Sequence, residues 1–249
     1  MIGKNFIIIS LMVVFTALLS GCLGVNFGGN IGAGGVRGTG AIESRDMALG
    51  NFDSIIIDGS YNVIYRYSSA SSLTVVMHEN LFEYFEVSVE NGVLEIGSTR
   101  SFNVNRGQAP RLYVYAPSLR SIDIRGAVDT IGWDTIYGEN FYITVGGAAD
   151  IDIHVEVERL SISSAGAADI NLRGNAHDTG INMAGAGNLA ARDLQTRDAS
   201  IIVAGAADVE IAVSDTLDVV ITGAGSVQYF GNPVVTQQIT GVGRVRSGN

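Results

Sequence analysis

The stretch Ala165–Ile170 reads AGAADI, and its copies decide the fold. GGAADI occupies Gly146–Ile151 and AGAADV occupies Ala204–Val209. Looser versions are RGAVDT from Arg125, AGAGNL from Ala184 and TGAGSV from Thr222. The glycines of these copies are Gly126, Gly147, Gly166, Gly185, Gly205 and Gly223, with Gly241 as a weak seventh. They lie 21, 19, 19, 20, 18 and 18 residues apart. A near-constant unit of this length suits one coil of a solenoid.

Around each glycine the residues alternate. Two positions before it stand Ile124, Val145, Ser164, Met183, Val203, Ile221 and Ile239. Four before it stand Ile122, Ile143, Ile162, Ile181, Ile201, Val219 and Gln237. Four after it stand Thr130, Ile151, Ile170, Leu189, Val209 and Val227. Residues in between are mostly polar. A period of two means strand, because on a helix alternate residues would spread around the axis. The corner glycine permits either a positive φ or close approach of neighbouring coils. Stacked at about 4.8 Å, like residues form parallel ladders. The expected fold is all-β: a right-handed parallel β-helix of about seven short coils, the hand following the rule for parallel crossovers. An antiparallel β-sandwich would explain the alternation but not the fixed glycine-to-aspartate register.

Four segments follow from this reading. Residues 118–249 form the repeat. Residues 46–117 hold most of the aromatics and are expected to be irregular β structure that starts and caps the solenoid. Asn91–Gly92, between VSV and VLEI, signals a hairpin, although a coil corner fits it too. Arg244 and Arg246 near the C-terminus would discourage end-to-end pairing of strand edges.

The first two segments are a leader and a tether. Residues 1–21 have one lysine, Lys4, and then the apolar run Phe6–Leu19. That run is too short to span a bilayer comfortably and matches the h-region of a signal peptide. Leu19, Ser20 and Gly21 lead into Cys22, which resembles the bacterial lipobox, with Cys22 as the lipidated residue and the three before it as the peptidase recognition sequence. Cys22 is the sole cysteine, so no intrachain disulfide competes for it. Residues 22–45 are rich in glycine and read as a flexible tether. The expected location is the cell envelope, with the membrane engaged through a lipid anchor. Leu23, in place of an aspartate after the cysteine, leans towards the outer membrane.

The run NFDSIIIDGSYNVIY, the segment RLYVYAPSLRSIDIRGAVD and the repeated GAAD, GAGN and GAGS corners resemble the bacterial family called putative auto-transporter adhesin, head GIN domain. The resemblance covers about residues 51–246. It implies a β-helical fold, an envelope location and an adhesive role. It implies no catalytic residue.

Chemistry in the sequence is sparse. The chain has 25 acidic residues against 15 Lys and Arg, a net charge of −10, which argues against nucleic acid as a partner. Three positions after each glycine stand Asp129, Asp150, Asp169, Asn188, Asp208 and Ser226. Asn and Ser at two rungs favour hydrogen-bond capping of the corners over a row of calcium sites, which would need six to eight oxygens each. No metal or other cofactor is expected. His78, His154 and His177 lie apart, and no nucleophile elbow or phosphate loop occurs. The expected function is therefore a non-enzymatic adhesin or binding scaffold, whose partners would be a surface glycan or an envelope protein, with oligomers open. Two alternatives are a β-helical carbohydrate-active enzyme using Asp150, Asp152 and Asp169, and an envelope sensor that binds a small ligand.

Overall fold

Alternating segments become strand, and each glycine corner interrupts it. The computed structural model describes residues 35–103, 109–130 and 132–249, all within one compact unit, Gly34–Asn249. The leader, Cys22 and its three preceding recognition residues lie outside the described residues.

The chain opens with β1 (Val36–Arg37) and β2 (Ile42–Ala48). Next, β3 (Ser54–Ile57) and β4 (Ser60–Tyr67) flank Gly59. Then come β5 (Ser72–His78), a short 3-10 turn at Glu79–Leu81, β6 (Phe85–Glu90) and β7 (Val93–Ser98). After β8 (Phe102–Asn103) and β9 (Arg111–Ala116), β10 (Ser121–Ile124), β11 (Ala127–Thr130) and β12 (Ile136–Val145) enter the repeat. Four long strands follow: β13 (Ala148–Ser164), β14 (Ala167–Met183), β15 (Ala186–Val203) and β16 (Ala206–Ile221). The chain closes with β17 (Ser226–Phe230), β18 (Val234–Ile239) and β19 (Arg244–Ser247).

From β10 to β19 every pairing between rungs is parallel, so the fold is a β-solenoid rather than a sandwich. Ile143 faces Ile162, Ile162 faces Ile181 and Ile181 faces Ile201. From Ile122 to Val227 these side chains, with the ladders two before and four after each glycine, are almost wholly buried, and at the last rung Ile239 is 38% exposed. One coil alone could not enclose them, and stacking turns each column into a continuous core. Unequal coil lengths are absorbed away from the glycine: β15 shifts register against β16 between Ala191 and Gln195.

The corner glycines serve close approach, not a positive φ. None from Gly126 to Gly241 along this column has a left-handed backbone. A Cβ on Gly166 or Gly185 would instead overlap the carbonyl oxygen of the glycine one rung back. The hydrogen bonds explain the crowding. Ala167 N–H donates to the Gly147 carbonyl (2.9 Å), and Ala186 N–H to that of Gly166 (3.0 Å).

Residues 46–117 are more regular than expected. Ile55, Ile57, Gly59 and Val63 occupy the offsets of the repeat, and β3 and β4 pair in parallel with β10 and β11. β7 and β9 form a further parallel rung beneath them. The cap itself is antiparallel: β5 on β9, β2 on β5, and β6 on β7. The β6–β7 link is a hairpin, with Asn91 (φ 51°) and Gly92 (φ 80°) both left-handed as a primed turn requires. The reading of residues 22–45 as tether is also corrected at its end. Val36–Arg37 pair with Phe102–Asn103, and Ile42 begins a strand that covers β5. Alternation over Ile42–Ala48 is weak, because β2 lies at the outer edge with only Met47 packed on the core.

Candidate functional site: the polar ladders

The Gly-x-x-Asp spacing puts one polar residue per coil on the outer side of the corner. The structure stacks them in a single column: Asn62, Asp129, Asp150, Asp169, Asn188, Asp208, Ser226 and Arg244. Asn62, with Arg111 one rung beyond it, and Arg244 extend the predicted ladder at its two ends. Asp169 Oδ1 accepts the Asn188 backbone N–H (3.1 Å) and its Nδ2 (2.9 Å). Asp208 Oδ1 accepts the Ser226 backbone N–H (3.1 Å) and its hydroxyl (2.6 Å). These carboxylates cap the next rung rather than their own. The bond forms where the following residue can itself donate, as Asn188 and Ser226 do. Asp129, Asp150 and Asp169 sit on successive rungs, and the like charges of that trio oppose one another.

Asp169→Asn is therefore expected to be nearly neutral in stability. An amide oxygen still accepts from Asn188, and repulsion from Asp150 falls. Asp169→Ala should cost about 1 kcal/mol through loss of the cap. Urea unfolding of the two variants checks this, and equal losses would reject the capping role. A chelator should leave the melting temperature unchanged. A drop of several degrees would instead mean that the trio holds a cation.

Two of the three carboxylates considered for catalysis, Asp152 and Asp169, have other partners. Asp152 pairs with Arg173 (2.7 Å) and accepts from Asn171 (3.1 Å). The histidines stay apart: His78 faces the Gly40 carbonyl, His154 faces Glu156 and His177 faces Asp178. Among the described residues no three His, Cys, Asp or Glu side chains are grouped to hold a metal.

A second polar column was not anticipated. Alternation breaks at Glu158–Arg159, His177–Asp178 and Arg197–Asp198, where two consecutive polar residues stand between inward ones, and β15 has a further break at Arg192–Asp193. These doublets turn the chain. Arg159 bonds Asn140 (2.8 Å) and Glu139 (2.7 Å), and Arg197 reaches Asp198 (3.0 Å) and Asp215 (3.4 Å). Donation from Thr216, then from Arg197, holds the Asp198 carboxyl below its ordinary range. A depressed folded-state pKa adds stability above the unfolded value and loses it as pH falls. The doublet is visible in the sequence as a parity slip, which a search centred on glycine passes over. Beside the ridge runs an open trough of about 370 Å³ whose floor includes Ser161, Gly180 and Ser200 and whose ends are Tyr142 and Asp218.

The rungs that start at Phe52 and carry this column to the C-terminal coils coincide with a family match. Residues 51–233 fit the family described as putative auto-transporter adhesin, head GIN domain. The chain belongs to that family. Solved structures agree on the fold of this GIN-domain chain. A putative adhesin from Bacteroides fragilis NCTC 9343 superposes with a TM-score of 0.80 at 21% identity, covering 86% of this chain and 100% of that one. A putative lipid binding protein from Parabacteroides distasonis ATCC 8503 gives 0.68 at 22% identity, covering 86% and 99%. A putative adhesin from Parabacteroides merdae ATCC 43184 gives 0.65 at 20% identity, also covering 86% and 99%. No curated protein matches the chain. Among the described residues no helix is long and apolar enough to cross a membrane.

Proposed function

We propose that this GIN-domain chain is a lipid-anchored, non-enzymatic adhesin of the cell envelope, held by Cys22 and acting through the outer surface of its solenoid. One observation carries the reading. Surface carboxylates recur with the coil, and two of them are engaged with the neighbouring rung, Asp169 with Asn188 and Asp208 with Ser226. A catalytic pair would break such a repeat and face a cleft. The family membership supports an adhesive role, and the h-region joined to Leu19–Cys22 supports the anchor. A rod that repeats one surface along its length suits many weak contacts made together.

Two measurements test this. Purified protein incubated with neutral and acidic polysaccharides should release no reducing ends or unsaturated products. Turnover that vanishes in Asp150→Asn would replace adhesion with catalysis. Metabolic labelling with a fatty-acid analogue should mark the wild type and leave Cys22→Ala unlabelled. An unlabelled wild type would remove the anchor.

A further inference from the structure

We infer that the C-terminal tip of the solenoid is a self-pairing surface, where β18 joins β18 of a second copy across a twofold axis. This rests on the adhesive reading above and names its partner. The 17-stranded sheet has four outer edges: β2 and β6 at the capped end, β18 and β19 at the tip. An open edge invites pairing with another chain, and charge is the usual guard against it. β2 carries Glu43, Arg45 and Asp46, β6 carries Glu86 and Glu90, and β19 carries Arg244 and Arg246. β18 reads VVTQQI and carries no charge. Apolar side chains lie open around it: Val234 is 73% exposed, Ile239 38% and Val242 88%.

The strand complements itself. Antiparallel pairing centred on Gln237 sets Val235 opposite Ile239, Gln237 opposite its own copy, and Thr236 opposite Gln238. The inward pairs extend the columns of the core. The hydrogen-bonding groups are also placed for it. Thr240 N–H reaches back to the Ile221 carbonyl (2.9 Å). By the two-residue alternation of a parallel ladder, the N–H and C=O of Val235, Gln237 and Ile239 point to the free edge, enough for about six backbone bonds across the axis. Antiparallel pairing also carries the two copies of β19 to opposite ends of the joined segment, so Arg244 and Arg246 do not meet their counterparts. Pairing β6 with β6 opposes glutamates, and pairing β19 with β19 opposes arginines.

The test uses the full chain in detergent, with protein mass read by size-exclusion chromatography and light scattering. Wild type should pass from monomer to dimer with rising concentration and stop there. Gln237→Lys and Gln237→Glu each place like charges across the axis and should weaken the dimer about tenfold. An equimolar mixture of those two should restore it. Gln237→Pro removes a free-edge N–H without touching the ladder to β16, and should abolish the dimer at an unchanged melting temperature. A monomer at every concentration, growth beyond the dimer, or a dimer indifferent to all three substitutions overturns the inference. Beads coated with the protein separate the two proposals. Wild-type beads that cluster, with Gln237→Pro beads that do not, support tip pairing as the adhesive contact. Adhesion unaffected by Gln237→Pro overturns tip pairing as that contact and leaves the adhesive function standing, whereas a solution dimer on beads that never cluster overturns the adhesive role proposed for it.

Discussion

Gly185→Ala should destabilise the protein by about 3 kcal/mol or more, an effect far larger than one methyl group suggests. The added Cβ would fall on the Gly166 carbonyl oxygen, with the Ala165 carbonyl 2.8 Å away. Both obstacles are backbone, so no rotamer change relieves them. The rungs must separate at the corner, which strains the bonds from Ala186 N–H to Gly166 (3.0 Å) and from Ala206 N–H to Gly185 (3.0 Å). The site is in mid-stack, where each coil is stabilised only by its neighbours. Weakening this one interface should therefore broaden unfolding or split it into two transitions. Ala186→Ser, on the exposed side of the same corner, should change stability by less than about 0.5 kcal/mol. Urea denaturation of both variants decides the matter. Similar midpoints would mean that the glycine column is not set by coil spacing.

The same column shows how much of the fold was legible in the sequence. Where coils follow one another without interruption, glycine, inward aliphatics and the outer Asp or Asn keep fixed offsets, and the register from Ile122 to Ile221 follows directly. The rung around Gly59 obeys the same offsets, with Ile55 and Ile57 before it and Val63 after. It was hidden because β5 to β9 intervene before the next corner at Gly126. The chain also places its rungs out of order, since β7 and β9 lie beneath β3 and β4 although they follow them in sequence. A period search finds neighbours in sequence and cannot see such a return. Aromatic packing adds to the disguise. Tyr61 takes the place of the small residue that most corners carry two after the glycine, and burial pushes its hydroxyl up to about 12 while it donates to the Gly97 carbonyl (3.1 Å).

The polar columns were legible to different degrees. The ladder from Asp129 to Ser226 was readable because it is tied to the glycine. Its bonding was not, since whether a carboxylate finds a donor depends on the residue one coil away: Asn188 donates to Asp169, but Asp169 cannot donate to Asp150. The Glu158–Arg159 type of doublet marks a second bend that the period of two conceals. The uncharged tip strand was within reach of the sequence, yet Arg244 and Arg246 suggested a guarded end. Only the pairing shows that they guard β19 and leave β18 without a charge.

Val203→Asp is the sharpest test of the inward register. Val203 is fully buried in the column of Met183 and Ile221. No cationic side chain belongs to that column, so a carboxylate there would be charged without a partner or would take up a proton. An uncompensated buried charge costs about 3–5 kcal/mol. Thr144→Asp, on the outer face of β12, should cost less than about 1 kcal/mol. The pH dependence has a definite sign. Burial without a cation raises the folded-state pKa of the introduced carboxyl above its unfolded value. The folded state then binds the proton more tightly, and the variant regains stability as pH falls through that raised pKa. The deficit of Val203→Asp relative to wild type should therefore be smaller at about pH 5 than at about pH 8, while Val203→Asn, which has no proton to gain, should show a deficit nearly constant with pH. Chemical denaturation of the three proteins at both pH values gives the answer. Equal deficits for Val203→Asp and Thr144→Asp would place Val203 on the outer face and reverse the assignment of every ladder that shares its parity.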